Sequence, residues 1–181
     1  MADAARQAYA AGDIAAMIAS AQAAADQRVR TTLIQLAKTA SYNLGANTWP
    51  GWGDHLDKLG RSEMTAGLDA AKTSLRLVGE LGGDVNQQGN AHWLIGAQHL
   101  ALGDDATALA AFETAADCYR TAGTYEAILL AEGFRALALA DRDAARMEFQ
   151  RAVDALERKG SDDARFFAEQ LKTAEKVFST R

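Results

Sequence analysis

The sequence predicts an all-α fold, and three observations carry that expectation. Hydrophobic residues make up 49% of the 181 positions but aromatics only 7%, so much of the apolar material is alanine. Alanine has the best intrinsic helix propensity, and its small side chain lets helices approach closely. Pro50 is the only proline, so almost nothing interrupts a helical chain. Finally, Gly96, Ala108, Phe112 and Ala115 recur as Gly133, Ala145, Phe149 and Ala152, each number differing by 37. Self-similarity at a fixed period of this size is the mark of stacked helix hairpins. The alternating β-branched runs that announce strands are absent.

Taken in order, helices are expected at roughly 2–11, 13–25, 28–46, 63–81, 87–102, 105–121, 125–140, 142–158 and 161–179. Gly12-Asp13, Gly103-Asp104 and Ala140-Asp141 sit at equivalent joints. Glycine reaches the left-handed conformation that ends a helix, and the aspartate after it caps the next one. Such tight joints turn neighbouring helices antiparallel. The last helix reads as a cap. Ser161-Asp162-Asp163 supplies an N-cap and two acids at the positive end of the helix dipole. Ala164, Phe167, Ala168, Leu171, Ala174 and Phe178 form one apolar stripe, with Arg165, Glu169, Lys172 and Lys176 off it. A stacked array needs such a polar outer face at its end.

The net charge is −5, and the basic residues are dispersed among acids, which argues against a nucleic-acid footprint. No stretch is long and apolar enough to span a bilayer, and the first residues lack the pattern of a secretory signal. These features predict a cytoplasmic protein of one domain, 1–181. The lone Cys118 allows no internal disulfide and reads as a small buried helix residue.

Residues 89–122 carry Ile95-Gly96, Gly103-Asp104, Ala108, Phe112 and Ala115, and residues 126–159 carry Gly133, Ala145, Phe149 and Ala152. This pattern resembles the tetratricopeptide repeat, most clearly over 89–159. Tyr42-Asn43-Leu44-Gly45 reads as a further first helix in register, and Tyr9 with Gly12-Asp13 as a degenerate N-terminal pair. The chain departs from the family at Gly67 and Ala71, which stand where alanine and an aromatic are expected, and lacks the usual proline after each repeat. The resemblance implies a right-handed superhelical stack of about four antiparallel hairpins plus the capping helix. Small residues at Gly96 and Ala108 would let two helices cross closely, with Phe112 filling the space beside them.

Gly45 and Gly96 hold the same repeat position but lie 51 residues apart, 14 more than the 37-residue period. The excess marks an insertion at 47–62, between the two helices of the second hairpin. It contains Asn47-Thr48-Trp49-Pro50-Gly51-Trp52-Gly53-Asp54-His55, with two of the three tryptophans. A long loop in a compact domain is more often functional than a short one. Two readings stand beside each other: the tryptophans cover an apolar groove of the same chain, or they contact a partner.

His92 and His99 share a helix face, but no Cys or acid completes a metal set at usual spacing, so both read as packing residues. Asp54, His55 and Asp57 are a weak metal signal. No nucleophile–base pair is visible, and the expectation is a protein without catalytic residues, metal or cofactor. The resemblance directs attention instead to the concave face of the first helices. Transferred residue by residue, it comprises Thr39, Tyr42, Ala46 and Trp49; Asn90, Trp93, Ala97 and Leu100; and Ala127, Leu130, Phe134 and Leu137. The lysine–asparagine set with which some relatives clamp a peptide carboxylate is not present. The expected function is therefore a non-enzymatic scaffold binding an apolar peptide or helix of a protein partner. Tyr42, Trp49, Trp52, Trp93, Leu130 and Phe134 are its candidate contact residues, with Phe166 a further candidate off the capping stripe. Two alternatives remain open: a small-molecule sensor closed by the insertion, with Asn47, Asp54 and His55 as polar contacts, and a homo-oligomer using the groove as its interface.

Overall fold

A computed structural model describes residues 2–53, 59–139 and 142–178. Among the described residues the chain forms eight α-helices, one 3-10 turn and no strand. The helices are α1 (Ala2–Ala10), α2 (Ile14–Asn47), α3 (Arg61–Glu80), α4 (Val85–Leu102), α5 (Asp105–Ala122), α6 (Tyr125–Leu137), α7 (Arg142–Lys159) and α8 (Asp162–Phe178), with the turn at Pro50–Trp52. The chain divides into two compact units, residues 1–37 and residues 38–181.

In the second unit successive helices pack on one another: α3 on α4, α4 on α5, α5 on α6 and α6 on α7, with α8 resting on both α6 and α7. The core lies along this series. Trp93, Leu94, Ala97, Phe112, Phe134, Leu156 and Leu171 are all nearly inaccessible. The joints use the expected chemistry. Gly103 has φ 80°, and the Asp104 carboxylate accepts from the Thr107 N–H at 3.3 Å. Asp84 caps α4 through the Gln87 N–H at 2.8 Å, which starts that helix two residues earlier than expected. Ser161 Oγ accepts from the Ala164 N–H at 3.2 Å at the start of α8. In α8 the apolar stripe is buried except for the half-buried Phe167, while Arg165, Glu169 and Lys176 are exposed. The joint expected at Ala140-Asp141 lies outside the described residues.

In the first unit Asp13 caps α2, its Oδ1 accepting from the Ala16 N–H at 2.9 Å. The break expected between 25 and 28 does not occur: α2 runs unbroken for 34 residues. The local sequence Ala25-Asp26-Gln27-Arg28 explains this, since it contains neither glycine nor proline to end a helix. The expectation of separate helices at 13–25 and 28–46 is therefore corrected, while the Gly12-Asp13 joint between α1 and α2 is present, with Gly12 at φ 69°.

The close helix crossings are real, and one has a different partner. A Cβ added at Gly96 would lie 2.8 Å from the Phe112 ring, as the repeat pattern requires. At Gly133 the nearest atoms belong to Leu171 of α8, at 2.6 Å, so the second glycine serves the capping helix.

Candidate functional site

The described start of the insertion, 47–53, folds inward. Trp49 is extended, with φ −97° and ψ 123°, as a residue before proline is biased to be. Pro50–Trp52 makes the 3-10 turn, and Gly53 closes it at φ 81° with its N–H donating to the Pro50 carbonyl at 3.1 Å. Gly51 has no alternative: an added Cβ would lie 2.1 Å from the Trp49 ring, which folds back over the turn. A Cβ at Gly53 would lie 2.8 Å from Thr173 Cγ2, because the turn runs against α8.

The root of the insertion is fixed by side chains that take up the last carbonyls of α2. A helix leaves its final four C=O groups without intrahelical partners. Here Thr48 Oγ1 donates to the carbonyls of Leu44 (2.8 Å) and Gly45 (3.1 Å), and Trp52 Nε1 donates to that of Ala46 at 2.7 Å. Gln98, on α4 and fully buried, donates Nε2 to the Gly45 carbonyl at 2.6 Å. Gly67 makes room for this arrangement: an added Cβ would lie 2.1 Å from Thr48 Oγ1 and 2.8 Å from Gln98 Nε2. Gly45 also faces Leu94, the Gly67 carbonyl and the Ala71 N–H, so α2 and α3 meet backbone to backbone. The two departures from the repeat pattern, Gly67 and Ala71, thus sit where the insertion is anchored.

Trp49 is seated in an aromatic channel. Its ring lies 5.7 Å from Trp93 of α4, 5.5 Å from Phe134 of α6, 6.1 Å from Phe178 of α8 and 5.0 Å from Trp52. Trp93 and Phe134 stand 5.4 Å apart, edge to face, and Phe112 stacks on Phe134. Each favourable ring pair contributes about 0.5–1.5 kcal/mol beyond area burial. Trp49 is 1% exposed and Trp93 4%. Their Nε1 atoms, and Gln98 Oε1, are buried without a hydrogen-bond partner among the described residues. An unsatisfied buried polar atom costs about 1–3 kcal/mol.

Four of the six candidate contact residues, Trp49, Trp52, Trp93 and Phe134, therefore come together, but as core rather than open surface. The channel predicted for a partner is filled by the chain's own insertion. Leu130 is also buried, and Trp52 is half-buried with its indole N–H engaged. Tyr42 stands apart from the rings. It lines a cavity of about 160 Å³ with Lys38, Thr39, Asn43, Gln87 and Asn90, and burial raises its phenol pKa. At this end of the predicted concave face, Tyr119 donates to Asn90 Oδ1 at 2.7 Å. The cavity is smaller than the 300–1,000 Å³ of ordinary ligand clefts.

Elsewhere, a cleft of about 470 Å³ between α5, α6 and α7 is lined by charges that pair with one another. Arg120 bridges Asp117 and Glu132, and Arg135 bridges Glu113 and Glu148. Cys118 is half-buried rather than buried, with its thiol pKa raised by burial and by Asp117. His99 Nδ1 lies 3.0 Å from Asp104, and burial lowers the pKa of His92. Among the described residues no group of three His, Cys, Asp or Glu is placed to hold a metal ion, and no helix is long and apolar enough to cross a membrane. Asp54, His55 and Asp57 lie outside the described residues, whereas Asn47 is exposed at the end of α2.

Sequence reasoning missed two participants. Phe178 was assigned to the capping stripe alone, yet it also walls the channel. Gln98 gave a usable signal, being the one amide within the otherwise apolar stretch from Trp93 to Ala101 apart from His99. Comparison of the chain with protein-family models, curated proteins and solved structures finds no match in any of the three.

Proposed function

We propose that the protein is a non-enzymatic, cytoplasmic interaction scaffold of the tetratricopeptide type. In this reading its hairpins stack into a right-handed superhelix whose concave channel accepts a bulky aromatic anchor from a protein partner. The observation that carries it is the seat of Trp49: an indole from an inserted turn, held between rings from three helices. Trp93, Leu130 and Phe134 are the walls and Trp49 and Trp52 the occupant supplied in cis, with Tyr42 on the same face but beside a separate small cavity. A partner helix or turn would bind by exchange with the insertion. The unpartnered indole N–H groups and Gln98 Oε1 favour exchange, because they leave the closed state short of full satisfaction.

The test uses a defined probe. A synthetic peptide of residues 47–60 is titrated into the Trp49→Ala protein and into wild type. If the channel is a receptor for such an anchor, the peptide binds the variant and raises its melting temperature by selective binding to the folded state. It binds wild type far more weakly. A folded Trp49→Ala protein that ignores the peptide would contradict the reading.

A further inference from the structure

The first unit exposes an apolar stripe that its own fold does not use. Ile14 (68% exposed), Ile18, Val29, Leu33 and Leu36 are each at least half accessible along α2. Four of them follow an eleven-residue period, Ile14, Ala25 and Leu36 in one series and Ile18 and Val29 in another, and Leu33 lies one turn beyond Val29. Eleven residues make just over three full turns, so the stripe runs nearly straight along the helix instead of winding around it. From Ile14 to Leu36 it is about 33 Å long. No charged residue falls on it.

We propose that this face of α2 pairs with the same face of a second copy of the chain, antiparallel, about a two-fold axis at Ala25. The distribution of side chains is self-complementary in that arrangement. Ile14 comes opposite the partner's Leu36, Ile18 falls beside the partner's Leu33, and Val29 meets the small Ala21. Ala25 at the centre lets the helices approach, while the large residues pack toward both ends. A two-fold pair requires such a patch, because both copies contribute the same surface. The area also fits. At roughly 60–100 Å² of apolar surface per side chain, the five large residues of two copies remove about 600–1,000 Å² from water. The smaller residues between them bring the contact to the ~1,000 Å² that a specific interface needs. The pairing is accordingly reversible, with a dissociation constant in the micromolar range.

Light scattering on the full chain, followed across concentration, reads the mass directly. It should rise from the 19.3 kDa of one chain toward twice that value through the micromolar range. The Ile18→Glu/Leu33→Glu double variant should stay at the mass of one chain throughout. Its helix content should be unchanged, because both side chains are exposed. Ala25→Cys in a Cys118→Ser background should form an intermolecular disulfide under mild oxidation, and adding Leu33→Glu should abolish it. A wild type that remains monomeric overturns the proposal, as does a dimer that survives the double variant. A dimer lost in the double variant but not cross-linked through residue 25 overturns the antiparallel register.

Discussion

At Gly67 an added Cβ would meet Thr48 Oγ1 at 2.1 Å and Gln98 Nε2 at 2.8 Å, two groups that hold the end of α2. Gly67→Ala should therefore cost about 1–3 kcal/mol in urea unfolding, as overpacking of a close contact does. Trp49→Ala should cost about 3–5 kcal/mol, the range for emptying a large aromatic site. His92 titrates where the effect of pH can be isolated. Burial holds its folded pKa below the unfolded value near 6.5, so its contribution is fully present above about pH 6.5. That contribution is lost as the pH falls toward the folded value. The urea midpoint of wild type should drop over this interval, and His92→Gln should flatten the dependence. At this scale legibility was uneven. The Gly96–Phe112 contact follows from a spacing repeated twice in the sequence. The need for Gly67 does not, because its causes are Thr48 and Gln98, which lie far from it along the chain and meet it only through tertiary packing.

Helix ends were legible wherever local chemistry decides them. Gly103-Asp104, Asp84 and Ser161 all act within three residues of themselves, so the sequence carries the whole argument. Ser161→Ala should lower stability by about 1 kcal/mol in the same urea assay by removing the cap of α8. The continuity of α2 was written in the sequence, as the lack of any glycine or proline from Ala25 to Arg28, although a break was expected there. Periodicity gave the average unit, and the absence of a stop signal decided the element. Similarly, Gly133 was expected to serve its own hairpin, but Leu171 of the last helix takes that place. Ion pairs across α5, α6 and α7 link successive helices, but their exposure limits each to about 0–1 kcal/mol. The order of helices rests on buried rings and small residues instead.

For the molecule as a whole, the helical class and the packing of successive helices were readable from alanine content, repeat spacing and turn chemistry. The insertion was found by arithmetic, but its direction was not. Whether a loop rich in tryptophan points outward or inward depends on whether a channel of the right width awaits it, and that width is set by Trp93, Phe134 and Phe178 from three different helices. Four of the candidate residues are brought together, in a role that sequence left open: Trp49 as guest and Trp93 and Phe134 as host, with Trp52 beside them. The central claim is that Trp49 is seated in this channel in solution. The most direct measurement is the fluorescence of a Trp52→Phe/Trp93→Phe protein, in which Trp49 is the only indole. The account predicts blue-shifted emission that acrylamide barely quenches, shifting to the red only on unfolding or when a competing anchor displaces it. Emission at the wavelength of a solvated indole, freely quenched in the folded protein, would contradict it.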